Sequence, residues 1–202
     1  MGAARRLWGE RGYAAVSTPE IAKAAGVTRG AMYHQYADKS ELFLAVLEAV
    51  EMDVIEGLGA AVAAAQPKTP AGALRIAADA WLEVASEPEV RQLVLLDAPS
   101  VLGWAGFREI SLRYGLGMTE QLLTAAIEAG ELAPQPVRPL ATIMIGALDE
   151  AAMSIANAED PAREKDEVRE VLENLIDGLL EPGARSKPAR KPGSGGRARM
   201  RG

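Results

Sequence analysis

The sequence contains no cysteine and a single histidine, His34. Without cysteine the chain can form neither a disulfide framework nor a thiolate metal site. One histidine also excludes a multi-histidine metal site within one subunit. A Ser-His-Asp catalytic triad would have to use His34, and the residues around that side chain indicate a different role.

Long apolar runs are also missing. The longest, residues 140–148, has about half of the roughly 20 residues that a membrane-spanning helix needs. The N-terminus has no charged segment followed by an apolar one, so no signal peptide is predicted. We therefore expect a cytoplasmic protein with no membrane partner. Aromatic residues are scarce and Ala, the strongest helix former, is abundant, so the composition predicts an all-α fold.

Charge is distributed unevenly along the chain. Residues 1–45 carry six Lys and Arg against four Asp and Glu, residues 46–180 carry nine against twenty-three, and residues 181–202 carry seven against one. Such a protein is repelled by DNA except at its head and tail. The composition of residues 182–202 predicts a disordered basic tail, which either adds non-specific affinity for DNA or is inert.

Apolar periodicity and helix-end signals predict nine helices. Ser17 with Glu20, and Asp38 with Glu41, are typical of capping boxes at helix starts. The predicted helices span approximately residues 3–11, 18–24, 29–36, 39–65, 71–86, 88–97, 104–129, 137–157 and 162–180.

The second and third predicted helices are joined by a short turn centred on Gly26, which is typical of a helix-turn-helix. In that motif the second helix lies in the major groove, with its first residues at the base edges. Thr28 and Arg29 occupy that position here, and Arg is the best reader of guanine. The small Gly30 would let the backbone approach DNA closely.

Other side chains around this helix suit contacts with the DNA backbone. Tyr33, His34 and Tyr36 combine a hydrogen-bonding tip with a flat body, so they could reach phosphates or a thymine methyl group. Ser17 and Lys39 begin the flanking helices, where free backbone N–H groups and the helix dipole favour a phosphate.

The segment from Ala4 to Leu47 resembles the TetR (tetracycline-repressor) family of bacterial regulators. The matching elements are Leu7 before Glu10-Arg11-Gly12-Tyr13, then Glu20-Ile21-Ala22, Ala25-Gly26-Val27, Gly30-Ala31-Met32-Tyr33-His34 and Lys39-Ser40-Glu41-Leu42. The resemblance implies a DNA-binding domain of three helices plus the start of a fourth, followed by a larger helical domain. The first helix departs from the family pattern, because it begins almost at Met1 and is shorter than usual.

The resemblance also implies a function. It implies a homodimer on palindromic double-stranded DNA, usually a repressor that a small-molecule effector releases, with no cofactor. The expected domains are 1–46 for helix-turn-helix DNA binding, 47–181 for effector binding and dimerisation, and 182–202 for the tail. By family position, Thr28 and Arg29 face bases with Tyr33 and His34 nearby, and Ser17, Tyr33, Tyr36 and Lys39 touch phosphates.

The last two predicted helices carry wide apolar stripes, and in the family such a pair forms a four-helix dimer interface with its partner. The effector cavity is expected among the middle helices, and a mostly apolar cavity would suit an apolar or aromatic effector. The candidate lining residues are Trp81, Leu93, Leu96, Trp104, Arg108, Tyr114, Met118, Leu122 and Met144.

Two other functions are weighed against this one. A helical ligand-binding protein without a role in transcription would show no sequence-specific binding to DNA. An enzyme would need a metal cluster, a nucleophile with its base or a Gly-rich phosphate loop, and the sequence shows none of these.

Asp149 and Glu150 are adjacent in a predicted helix, so their side chains do not share a helix face. Either one of them enters the cavity as a polar anchor or, as we expect, both lie on a solvated surface.

Overall fold

The computed structural model describes residues 1–180, which form an all-helical fold with no strand in that range. The helices are α1 (Gly2–Arg11), α2 (Thr18–Ala24), α3 (Arg29–Gln35), α4 (Lys39–Ala65), α5 (Pro70–Ala85), α6 (Pro88–Val90), α7 (Ala98–Glu128), α8 (Val137–Asn157) and α9 (Pro161–Leu180), with a π-helical segment, Arg91–Asp97, between α6 and α7. The predicted all-α fold is confirmed. The predicted basic tail, residues 182–202, lies outside the described residues.

Local capping sets the starts of α2 and α4. The Ser17 hydroxyl oxygen accepts the Glu20 N–H, and the Glu20 carboxylate accepts the Ser17 N–H at 2.8 Å, so the predicted capping box is present. Asp38 caps α4 by accepting the Glu41 N–H at 2.8 Å, but the Glu41 carboxylate accepts the N–H of Ala37 instead of that of Asp38. Caps of this kind stabilise a helix by about 1 kcal/mol each.

The region around α6 differs from its prediction. The sequence predicts one regular helix over 88–97 and a break at residues 98–100. The structure instead continues from α6 through the π-helical segment directly into α7. Pro99 does not end the helix, because it lies in the first turn of α7 where its missing N–H is not needed. The break comes at Gly103, whose φ of 69° and ψ of 168° divide α7 into two parts.

One apolar core connects the small N-terminal head, α1 to α3, with the larger body. Trp8, Phe43 and Leu47 are fully buried, and the rings of Trp8, Tyr13 and Phe43 lie 5.1–5.5 Å apart between centroids. The core continues along α4 to Val54 and from there into α5, α7, α8 and the π-helical segment. The predicted domain border at residues 46 and 47 therefore falls inside a continuous helix and a continuous core.

Polar contacts also hold the head against the body. The Arg5 guanidinium in α1 binds both carboxylate oxygens of Glu89 in α6, at 3.0 and 2.7 Å, and also pairs with Asp53 in α4. The N–H of Tyr13, just after α1, donates to the Asp97 carboxylate at 2.7 Å. Since Asp97 is the last residue of the π-helical segment, that segment fixes the end of α1.

Helix α8 is, within residues 1–180, the one helix that is long enough and apolar enough to cross a membrane by length and composition alone. The sequence reading, which considered only the run 140–148, did not anticipate this. Nearly half of its most apolar stretch is buried, because α8 packs against α5, α7, α9 and the π-helical segment. Its buried face also carries Asp149, as suits the core helix of a soluble protein.

The link between Tyr13 and Asp97 can be tested by substitution. Asp97→Ala removes the acceptor and leaves a partly buried N–H unpaired, so we expect the free energy of unfolding to fall by about 1–3 kcal/mol. Urea denaturation followed by circular dichroism measures this. Asp97→Asn is the matched control, because its amide oxygen can still accept the hydrogen bond. Equal stability of the Ala variant and the native protein would contradict the assigned role.

Candidate functional site

Only a small part of the surface of α3 packs against the rest of the protein. Met32 is its only buried residue, and it packs into the core beside Ile21 and Ala22 of α2. The turn before α3 contains Gly26 at a φ of 67°, a left-handed conformation that suits glycine. Almost all of α3 therefore faces solvent, as a surface meant for another molecule would.

Thr28, Arg29 and Gly30, at the start of α3, are all exposed. Thr28 caps the helix, with its hydroxyl oxygen accepting the Ala31 N–H at 3.1 Å. The Arg29 guanidinium carbon lies 5.4 Å from the centre of the Tyr33 ring. A Cβ added to Gly30 would meet only the Thr28 hydroxyl, at 4.0 Å, so packing within the protein does not require glycine there.

Tyr33 and His34 lie on the same exposed surface. The Tyr33 ring is 37% exposed, and its hydroxyl lies 3.1 Å from the Thr18 hydroxyl, which ties α3 to α2. Hydrogen bonds from Thr18 and Arg29 lower the pKa of Tyr33. His34 is exposed in the last turn of α3. The structure thus brings Thr28, Arg29, Gly30, Tyr33 and His34 together as one surface, which we call the recognition face.

The three other predicted DNA contacts are engaged within the protein to different degrees. The Lys39 ammonium donates to the Tyr13 carbonyl at 2.6 Å and lies 3.9 Å from the centre of the Tyr13 ring, and burial lowers the pKa of Lys39. The Ser17 hydroxyl donates to Glu20 at 2.8 Å but stays exposed. Tyr36 is half-buried against the core. These residues border the recognition face.

A second feature is a cavity of about 80 Å³ in the body, enclosed by α4, α5, α7 and α8. Its wall is mostly apolar. Four of the predicted lining residues belong to it: Trp81, Met118, Leu122 and Met144. The Trp81 ring is fixed in place because its Nε1–H donates to the Leu148 carbonyl at 3.0 Å.

Five predicted lining residues lie outside the wall: Leu93, Leu96, Trp104, Arg108 and Tyr114. Leu93 is fully buried in the core, and Leu96 and Tyr114 pack against that core from its edge. Trp104 is 60% exposed. The prediction assumed regular helices, and the π-helical segment and the Gly103 kink turn Leu93, Leu96 and Trp104 away from the directions that regular helices would give them.

Two buried carboxyl groups in the wall are the least expected feature of the cavity. Asp149 is 5% exposed, lies in the wall and pairs with Arg108 at 3.0 Å, so the expected solvated surface is wrong for Asp149 and holds for the exposed Glu150. Arg108, although outside the wall, thereby contacts it. Burial raises the pKa of Asp149 to about 6.

Glu51 is the second buried carboxyl group, and the sequence analysis missed it. It is 5% exposed, and burial together with the charge of Asp149 raises its pKa to about 7. A signal was present in the sequence, because Glu51 stands between Leu47 and Val54 at the helical spacing of the buried stripe of α4.

Comparisons with known proteins identify the family of both the N-terminal and the C-terminal part of the chain. Residues 1–46 match the family model described as bacterial regulatory proteins, tetR family, and residues 71–179 match the tetracyclin repressor-like C-terminal domain. The chain belongs to the TetR family. It is a DNA-binding transcriptional regulator with an N-terminal helix-turn-helix and a helical C-terminal domain, as the sequence predicts.

Individual relatives of this TetR-family regulator extend the match. A solved TetR-family transcriptional regulator from Pectobacterium atrosepticum is 35% identical, with a TM-score of 0.79, over 89% of this chain and 91% of that one. The HTH-type transcriptional regulator AcrR of Shigella flexneri is 49% identical over 53 residues, which is 26% of this chain and 25% of AcrR. The transposon Tn10 TetC protein of Escherichia coli is 26% identical over 163 residues, 80% and 81% of the two chains.

The raised pKa of Glu51 makes the stability of this TetR-family regulator depend on pH. A carboxyl group whose pKa is higher in the folded state than in the unfolded chain stabilises the fold while protonated, and this stability is lost as pH rises through about 7. We expect Glu51→Gln to be about 1–3 kcal/mol more stable than the native protein at pH 8, and the difference to shrink towards pH 5.

Urea unfolding at pH 5 and pH 8 measures this difference. The titratable groups that interact with Glu51 are Asp149 of the cavity wall, which is paired with Arg108, and Tyr114 of α7, and they remain unchanged in the variant. Glu150→Gln, which alters an exposed carboxyl group, is the control and should show no such difference. A gain in stability that is the same at both pH values would contradict the burial argument.

Proposed function

We propose that this regulator is a homodimeric repressor that binds a palindromic operator through α3 and is released from it by a small-molecule effector. The observation that carries the proposal is the recognition face, a helix with one buried residue whose exposed side chains suit base edges and phosphates. A cytoplasmic location follows from DNA as the partner. The effector is proposed to occupy the cavity in the body.

Within the recognition face, Thr28 and Arg29 are proposed to contact bases, with Tyr33 and His34 beside them. Support comes from their position in the first turns of α3. Support also comes from the exposed Gly30, because packing within the protein would leave room for a side chain there. A glycine there removes bulk where a duplex would lie closest.

Ser17, Tyr33, Tyr36 and Lys39 are proposed to contact phosphates. Ser17 is exposed at the start of α2, where helix N–H groups favour an anion. Lys39 keeps donor capacity beyond its bond to the Tyr13 carbonyl, because an ammonium group has three N–H donors. Its partial burial limits it to a phosphate that approaches the joint between α1 and α4.

The proposed dimer forms through α8 and α9. Both helices expose large apolar side chains, with Ile143 69%, Val171 57% and Leu175 55% exposed. Ile143 and Leu175, together with Leu140 and Leu179, line an apolar groove between the two helices. Proteins that stay monomeric rarely leave such a contiguous apolar surface in water. A two-fold dimer of this kind would present its recognition helices to half-sites about 34–36 Å apart.

The proposed domains are 1–46 for DNA binding and 47–181 for effector binding and dimerisation. Helix α4 belongs to both, since it begins at Lys39 beside the head and carries Glu51 and Val54 in the cavity wall. An effector that prefers a dimer with different head spacing would weaken DNA binding by its difference in affinity for the two states.

The role of Arg29 can be measured on DNA. Duplexes selected by the native protein from a randomised library would give a palindromic sequence, and Arg29→Ala should weaken binding to it by roughly 5- to 150-fold, since a base contact is worth about 1–3 kcal/mol. Fluorescence anisotropy at one fixed salt concentration measures this change.

Arg163→Ala is the control for Arg29, because it removes an exposed arginine of α9 whose only ion pair within residues 1–180 is with the nearby Glu167. Its affinity for the selected duplex should equal that of the native protein. Failure of the native protein to select any sequence from the library would overturn the proposal and favour a helical ligand-binding protein without a role in transcription.

The proposed dimer surface can be disrupted with one charge. Ile143→Glu places a carboxylate in the centre of the apolar face and should convert the dimer to a monomer, because the charge would be buried unpaired in the interface. Sedimentation equilibrium measures the mass of the particle. Met52→Glu, at a 52% exposed apolar side chain of α4, should leave the dimer intact. A native protein that is monomeric at micromolar concentration would refute the interface.

A further inference from the structure

The cavity wall is acidic as well as apolar. Its ionisable side chains are Glu51 and Asp149, while Ser111 and Thr119 contribute hydroxyl groups and the remaining lining is apolar or backbone. Among the described residues, 1–180, no Lys, Arg or His belongs to the wall. An effector inside this cavity is therefore surrounded by hydrocarbon and by two carboxyl groups.

The two carboxyl groups differ in how the protein satisfies them. Asp149 receives a hydrogen bond from Arg108 at 3.0 Å and another from Ser111, and Arg108 is itself anchored to the Thr142 carbonyl at its other nitrogen. The charge of Asp149 is thus balanced within the protein. Arg108 cannot balance a second carboxylate as well.

Glu51 has no such partner. Among residues 1–180 it makes no hydrogen bond and no ion pair, and the one charge acting on it is that of Asp149, which repels it. It is nevertheless 5% exposed and lies in the same cavity wall as Trp81 and Asp149. A carboxylate taken out of water is stable only if it is neutralised, either by a proton or by a cation beside it.

We propose that the effector is an organic cation, an ammonium or quaternary ammonium group on an apolar body, and that its charge lies against the Glu51 carboxylate. This inference rests on the proposed effector-binding function and gives the chemical class of the effector. The apolar body would lie against Met118 and Leu122, and the Trp81 ring adds the attraction of an aromatic face for a cation.

The same wall disfavours the other charge classes. Within the part of the chain that the structure describes, an anionic effector would meet two carboxyl groups and no cationic side chain of the wall, which is unfavourable in a region of low dielectric. A neutral effector would leave Glu51 without a counter-charge, so its binding would not depend on the ionisation of Glu51. The two alternatives therefore predict different responses to charge and to pH.

Three probes with one apolar body separate these alternatives: 4-phenylbutyl-trimethylammonium, 4-phenylbutanol and 4-phenylbutanoate. Isothermal titration calorimetry of the full-length protein at pH 8 measures their affinities. We expect the cation to bind more tightly than the alcohol and the carboxylate to bind most weakly. Tighter binding of the alcohol or the carboxylate, or no binding of the cation, would overturn the inference.

Substitution of Glu51 provides the second arm. Glu51→Gln should weaken binding of the cation by about 10- to 100-fold, because it removes the buried counter-charge, and should leave the alcohol unchanged. Glu51→Asp keeps the charge and should retain the preference for the cation. Glu150→Gln, on the exposed face of α8, is the matched control and should behave as the native protein. Equal loss of cation and alcohol in the Gln variant would show only a packing role and would overturn the inference.

Proton release gives a readout that packing alone cannot produce. When the cation binds at pH 7, where Asp149 is already mostly ionised, Glu51 must give up the proton that it still carries. Titrations in buffers of different ionisation enthalpy should then show release of up to about half a proton per site. Release should be largely lost in Glu51→Gln and be absent with the alcohol. Asp149 and Tyr114 face Glu51 and stay unchanged in the variant, so release of the same size there would exclude Glu51 as the source.

DNA binding is measured separately, so the two proposals fail separately. A protein that binds a selected palindrome but prefers the neutral or anionic probe keeps the repressor proposal and loses this inference. A protein that binds the cation but selects no DNA sequence loses the repressor proposal. If both hold, the cation should lower affinity for the palindrome in the native protein and have a much smaller effect in Glu51→Gln.

Discussion

Burial of the apolar face of α4 is the constraint on which the rest of the structure depends. Phe43 and Leu47 near its start complete the core of the head, and Val50 and Val54 further along complete the core of the body. Because one helix supplies both cores, the head cannot turn without moving the wall of the cavity. The ion pairs of Arg5 and the bond between Tyr13 and Asp97 further connect the head to α4, to α6 and to the π-helical segment.

Much of this architecture could be predicted from the sequence because its signals are local. Capping residues such as Ser17 and Asp38, apolar spacing, and Gly26 at a left-handed turn each act within a few residues of the chain. The signals that place α3 in the helix-turn-helix are local in the same way, so its position and exposure could be predicted, while its contacts with DNA stay a prediction. The position of Lys39 at the start of α4 could be predicted in the same way. Its hydrogen bond to the Tyr13 carbonyl could not, because that bond joins residues far apart in the sequence.

The cavity was predicted only in part because its shape depends on packing between distant segments. Four of nine proposed lining residues belong to its wall, and three of the other five, Leu93, Leu96 and Trp104, lie where the backbone departs from a regular helix, in Arg91–Asp97 and beside Gly103. No local pattern in the sequence marks the π-helical segment, and the glycine at 103 does not by itself give the direction in which the chain bends. Glu51 is different, because a carboxylate at a buried helical position can be recognised from spacing alone. A search for charged residues inside apolar stripes would have found it.

The single anchoring residue of α3 has a consequence for how such regulators diversify. Met32 and the core behind it secure the helix, whereas the exposed positions of α3, such as Arg29, Gly30 and His34, are not buried in the core of the fold. Substitutions at those positions can therefore alter which operator is read without a compensating change elsewhere in the protein. After gene duplication, a copy of this scaffold could acquire new target genes through a few surface changes while it keeps the same inducer.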